Sequence, residues 1–203
     1  MKLENKFKNN IEKIASLANE TDYVEGEKWY RDARLFCYKV SKQYGLSFRK
    51  TCAILSALSP RNKWERNKID CENLVAYLTG HTVNEPSCAT YGAMVQKAVN
   101  IFHSKTDSIE SMLKILNGPK IKAFFLNIYD FNSDCVTVDS WIQLIALGEY
   151  LAVDKRPSLK KTDYVLIENL IKEIASTKKV KPPVMQAVLW IAFRNLTKQK
   201  DFN

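Results

Sequence analysis

Apolar residues recur at three- and four-residue intervals along almost the whole chain, and two stretches go further and are apolar on nearly every face: Thr51-Cys-Ala-Ile-Leu-Ser-Ala-Leu58 and Val184-Met-Gln-Ala-Val-Leu-Trp-Ile-Ala-Phe193. A helix polar on one side can lie at a surface, but a helix apolar all round must be enclosed by others. With only 6 Gly and 6 Pro in 203 residues, little interrupts this period, and no stretch shows the sustained alternation of a half-buried strand. The spacing predicts an all-α fold.

Helix boundaries follow from caps and breakers. A first amphipathic helix is expected over residues 5–19, with Phe7, Ile11, Ile14 and Leu17 on one face, and a second over 26–44, stopped by Gly45. Ser47 reads as the N-cap of residues 48–58, which Ser59-Pro60 ends. Further helices are expected over 64–78, 91–104, 108–116 and 120–129, then from Ser140 behind an Asp139 cap. After a basic, proline-bearing loop from Asp154 to Thr162 come residues 163–176 and a last helix opened by Pro182-Pro183. No repeat, low-complexity tract or long linker divides the chain, so residues 1–203 read as one helical domain.

The net charge is +9, with pI about 9.2, and it is uneven: +4 over residues 1–50, +1 over 51–100, −2 over 101–153 and +6 over 154–203. Basic proteins of this size meet polyanions, because each phosphate they neutralise releases a condensed counterion. A lysine-rich solvated surface is the competing reading. No apolar run approaches the ~18 residues that span a bilayer, and the opening Met-Lys-Leu-Glu-Asn-Lys-Phe-Lys lacks a secretory apolar stretch. A cytoplasmic setting is expected, with no membrane partner. The five cysteines, Cys37, Cys52, Cys71, Cys88 and Cys135, form no Cys-x-x-Cys pair, and His81 and His103 are the only histidines. Reduced, mostly buried thiols are expected, with no metal and no cofactor. Acid–base or nucleophilic chemistry then falls to carboxylates and lysines.

The stretch that carries chemistry is 113–141. A short helix meets Asn117-Gly118-Pro119, and a second helix leaves carrying Lys120 and Lys122. Unpaired amides at such a helix start can seat a phosphate oxygen, and Gly118 removes the Cβ that would obstruct it. Asp139 follows 19 residues after Lys120, behind Val136, Thr137 and Val138, which are suited to burial. A carboxylate at a helix start is held as an anion by amides and dipole.

This order of helix, Gly/Pro hairpin, lysine-bearing helix and Val-Thr-Val-Asp-Ser resembles the helix-hairpin-helix DNA glycosylases. The likeness extends through Ala53-Ile-Leu-Ser-Ala-Leu-Ser59, Asn67-Lys68, Gln96-Lys-Ala-Val-Asn-Ile101 and the last apolar helix, about residues 50–200, with the hairpin at 113–128. Leu58-Ser59-Pro60, Gly118-Pro119-Lys120 and Val136-Thr-Val-Asp139 also resemble small bacteriophage proteins. The resemblance implies two helical lobes around a groove, a double-stranded DNA partner with one base flipped out, and cleavage of its N-glycosidic bond. By position, Asp139 matches the aspartate that stabilises the sugar cation, and Lys120 the lysine that attacks C1′ in bifunctional members. Lys122 competes for that role; the two project ~200° apart on an ideal helix. Arg61, Asn62, Lys63, Trp64, Asn67, Lys97, Gly118, Lys122 and Ser140 are the expected nucleic-acid contacts. The chain departs from the family in lacking the second hairpin glycine, in carrying Trp141 where histidine is frequent, and in having no cysteine after Cys135 for an iron–sulfur cluster. Action on a modified base during viral DNA hypermodification, and a non-catalytic module gripping nucleic acid or a host protein, are the alternative functions.

Overall fold

The computed structural model describes residues 3–152 and 155–200, with side chains as far as residue 197. It contains α1 (Leu3–Leu17), α2 (Glu20–Tyr44), α3 (Phe48–Ala57), α4 (Trp64–Leu78), α5 (Gly92–His103), α6 (Ile109–Leu116), α7 (Pro119–Tyr129), α8 (Ser140–Leu147), α9 (Lys161–Thr177) and α10 (Pro182–Lys200). The described residues are all-α, with no strand among them. None of the helices is long and apolar enough to cross a membrane.

Most boundaries follow the expected chemistry. Ser47 Oγ accepts the Lys50 amide and Ser108 Oγ the Ser111 amide, each at about the spacing a helix start requires. Gly45 closes α2 at φ +67, where a side chain would be strained. The beginning of α2 differs. The helix starts at Glu20 rather than 26, because Asn19 and Asp22 cap it reciprocally: each backbone amide donates to the other's side-chain oxygen at 3.0 Å. Gly26 therefore lies inside the helix. A Cβ there would stand 2.5 Å from Val188 Cγ2 and 3.0 Å from the Val188 amide nitrogen, so close packing, not a turn, requires glycine.

The chain divides into two compact units. The first holds Met1–Tyr30 and Asn132–Asn203, and the second Arg31–Phe131. In the first, α1, α8, α9 and α10 pack on one another around Phe7, Ile11, Ile142, Ile145, Ile167, Ile171 and Leu189. The buried face of α1 is Phe7, Ile11 and Ala15, while Leu17 is exposed, contrary to expectation, because it lies beyond the angle that those three define. In the second unit α3 is the centre. Its residues Thr51–Ala57 are all buried, and it packs on α4, α5, α6 and α7. Each fully buried leucine or isoleucine there contributes about 1.5–3 kcal/mol of transfer free energy. Cys37, Cys52 and Cys71 are free, buried thiols, whereas Cys88 and Cys135 are half-buried.

Candidate functional site

In the first unit the site is built around the segment before α8. Val136, Thr137 and Val138 are buried, and side chains from distant parts of the sequence hold them. Tyr164 Oη donates to the Val136 carbonyl at 2.8 Å and accepts the Val138 amide at 3.4 Å. Tyr30 Oη lies 3.0 Å from Thr137 Oγ1 and 2.6 Å from Gln186 Oε1. Burial pushes the Tyr164 phenol well above its ordinary value, the Val138 amide opposing, so it is a neutral hydroxyl able to bridge a carbonyl and an amide. Paired in this way, the Val136 carbonyl and the Val138 amide are buried without being orphaned.

Asp139 follows as the N-cap of α8. Its Oδ1 accepts both the Trp141 and the Ile142 amides at 2.9 Å. Oδ2 has no hydrogen-bond partner among the described residues, and the side chain is half-buried. Ser140 is exposed, and its Oγ accepts Arg156 Nη1 at 3.0 Å. Arg156 Nε donates to the Leu151 carbonyl at 3.1 Å, and the guanidinium lies 4.1 Å from the Trp141 ring centroid. Trp141 is half-buried: its ring packs against the core of this unit, meeting Phe193 edge-on at 6.4 Å, and also carries the Arg156 stack. Trp190 is likewise half-buried, under Arg194 at 4.4 Å. The sequence marked Arg156 only as part of a basic loop. Asp154, the expected start of that loop, lies outside the described residues.

The second unit holds the hairpin. Asn117 (φ +48) and Gly118 (φ +96) join α6 to α7 directly. Asparagine is among the side chains that tolerate positive φ, and a Cβ at Gly118 would meet open space, so there the backbone angle alone favours glycine. Lys97 Nζ donates to the Leu116 carbonyl at 3.2 Å, holding the end of α6. Lys120 and Lys122 are half-buried, and neither amine has a partner among the described residues. Phe124, buried one turn beyond Lys120, meets Trp64 edge-on at 6.4 Å. Trp64 opens α4 and carries Lys68 Nζ at 5.5 Å. The preceding loop presents exposed Lys63 and Arg61, the latter at φ +54 with its guanidinium 5.5 Å from the Tyr91 ring.

Asn62 and Asn67 are engaged from within. Asn67 is 1% exposed, and its Nδ2 donates to the Leu55 carbonyl. Asn62 Nδ2 donates to Asp70 Oδ2 at 2.8 Å. Buried Asp70 also accepts Arg66 Nε at 2.6 Å and the Ala89 amide at 2.8 Å, fastening the loop before α4 and the one before α5 to a single carboxylate. Asn67, Asn62 and Lys97 thus shape the surface, while Arg61, Lys63, Trp64, Lys120 and Lys122 present it.

Asp139 and Ser140 belong to the first unit and the remaining expected site residues to the second. Among the described residues no group of three His, Cys, Asp or Glu side chains is arranged to hold a metal ion. Fold and site define an all-helical protein of two compact units, one with a carboxylate-capped helix behind a buried segment, the other with a lysine-bearing hairpin. The chain belongs to DUF7178, a family of unknown function, which it matches over residues 2–197. No curated protein and no solved structure matches it.

Proposed function

We propose that the protein acts on double-stranded DNA as a helix-hairpin-helix glycosylase-like enzyme, in fold as in chemistry, releasing a damaged or modified base from a flipped-out nucleotide. The observation that carries this reading is Asp139. A helix cap alone needs only a side-chain oxygen, yet here the residues before it are buried and pinned by Tyr30 and Tyr164. Its Oδ1 is spent on two amides while Oδ2 has no hydrogen-bond partner among the described residues. A fixed, partly desolvated carboxylate is the kind of preorganised charge that lowers the energy of a growing cation without reorganising at the moment of reaction.

In the reaction the C1′–N bond breaks and its electron pair leaves with the base, which takes up a proton. Asp139 stabilises the positive charge left on the sugar. In the bifunctional version of this chemistry a lysine amine attacks C1′, forming a new C–N bond and losing a proton, and ring opening gives a Schiff base; the resemblance matches that amine to Lys120. Support for the lysine comes from the hairpin, where positive backbone angles at Asn117 and Gly118 start a helix whose two lysine amines are unpaired among the described residues. Support for DNA comes from the +9 charge and from Arg61, Lys63 and Lys68 set around Trp64 and Tyr91. Extruding a base costs a few kcal/mol, about what phosphate contacts and an aromatic platform supply.

The test is incubation with duplexes that each carry one deaminated, oxidised or alkylated base, with mass spectrometry for the free base and borohydride to reduce a Schiff base into a stable adduct. The reading predicts base release, and an adduct that disappears in Lys120→Ala. Binding without release from any duplex, unaffected by loss of Asp139, would instead establish a non-catalytic module.

A further inference from the structure

We propose that Arg156 is a binding residue for the phosphodiester backbone, held beside Asp139 to grip the strand that carries the reacting nucleotide. The inference rests on the DNA reading above and adds a contact that the hairpin resemblance does not contain.

Arg156 is fixed at three points: Nε on the Leu151 carbonyl, Nη1 on Ser140 Oγ, and the guanidinium plane on Trp141. A guanidinium carries five N–H donors, so those two hydrogen bonds leave one on Nη1 and both on Nη2. Among the described residues no carboxylate takes them. The other arginines hydrogen-bonded in place each have an acid: Arg49 has Asp107 and Arg66 has Asp70. Arg34, Arg61 and Arg194 rest on rings without such anchoring. Arg156 therefore combines a rigid mount with a charge that no carboxylate among the described residues answers. A planar fork suits two phosphate oxygens, and stacking on tryptophan has already removed much of the side-chain freedom that binding would otherwise cost.

The start of α8 is not itself the anion site, because Asp139 already occupies the Trp141 and Ile142 amides. A phosphate would be answered by Arg156; Lys155, Lys160 and Lys161, its neighbours in sequence, are exposed and add positive charge to the same segment of chain. Ser140 fixes the distance between the two functions. It follows Asp139 in the chain and holds the guanidinium through its hydroxyl, so a strand gripped by Arg156 presents its sugar near the carboxylate.

The experiment is fluorescence anisotropy with a short duplex bearing a tetrahydrofuran abasic analogue, across a salt series. The variants are Arg156→Gln, Arg156→Lys and Ser140→Ala, each first checked by circular dichroism melting. Arg156→Gln is expected to weaken binding about tenfold and to reduce the salt slope by about 1, as loss of one phosphate contact does. Arg156→Lys keeps the slope but loses affinity severalfold. Ser140→Ala, which frees the guanidinium without removing charge, also keeps the slope and weakens binding more mildly, and these two decide the matter should Arg156→Gln fail to fold. Wild-type binding that all three variants reproduce in affinity and slope overturns this inference alone. A wild-type protein that ignores the duplex at low salt overturns the DNA reading with it.

Discussion

Tyr164→Phe isolates what holds the segment before Asp139. The phenol is buried, donates to the Val136 carbonyl at 2.8 Å and accepts the Val138 amide at 3.4 Å. Phenylalanine keeps the ring packing and removes both bonds, leaving a buried carbonyl and a buried amide unanswered. Each such orphaned group costs about 1–3 kcal/mol. The 3.4 Å contact is the weaker, so the loss should total about 2–3 kcal/mol. For a chain of this length that corresponds to a fall of roughly 5–10 °C in melting temperature. Urea unfolding followed by tryptophan fluorescence, with an unchanged m-value, gives the free energy directly. Base release should fall as well, although Asp139 is intact, because the carboxylate loses its mount. A variant within about 0.5 kcal/mol of wild type would refute the claim that this hydroxyl secures the segment.

Asp70→Asn removes a buried carboxylate that holds Arg66, Asn62 and the Ala89 amide. Because Arg66 is half exposed, the loss is expected near about 2–4 kcal/mol, and protease cleavage in the 60–63 loop should accelerate; unchanged stability and cleavage would contradict the fastening. Alkaline pH should destabilise the protein. Burial raises the Cys88 thiol from 9.0 to about 11 and the Tyr164 phenol above 10.0. Between pH 9 and 11 the unfolded chain therefore releases protons that the folded one retains, and stability falls as pH rises. Urea midpoints over that range should fall less steeply in Cys88→Ala, and above pH 10 less steeply in Tyr164→Phe; slopes equal to wild type would contradict the assignment.

Local chemistry made the helices legible: Ser47 and Asp139 as caps, Gly45 as a stop, and the all-apolar α3 as a centre. The first turn and a half of α2 escaped because Gly26 imitates a boundary. Its cause is Val188, more than a hundred and fifty residues away, and no local pattern reports that approach. The same reason hid much of the site. Asp139, Lys120 and the hairpin stand in a readable order, but Tyr30, Tyr164 and Gln186 act through hydrogen bonds between distant segments. Arg156 could be read only as one charge in a basic loop until its stack on Trp141 was seen. Asn67, a polar side chain beside basic residues, and Lys97, placed by the resemblance, read as nucleic-acid contacts, yet their hydrogen bonds run to the Leu55 and Leu116 carbonyls.

The most direct measurement of the proposed function is single-turnover base release by Asp139→Asn, on whichever damaged duplex the wild-type protein is found to process, with DNA affinity measured on the same preparation. Asparagine caps a helix about as well as aspartate, so fold and binding should persist while the charge is gone. The account predicts release slowed by about a hundredfold or more with affinity retained. Release at the wild-type rate would contradict it.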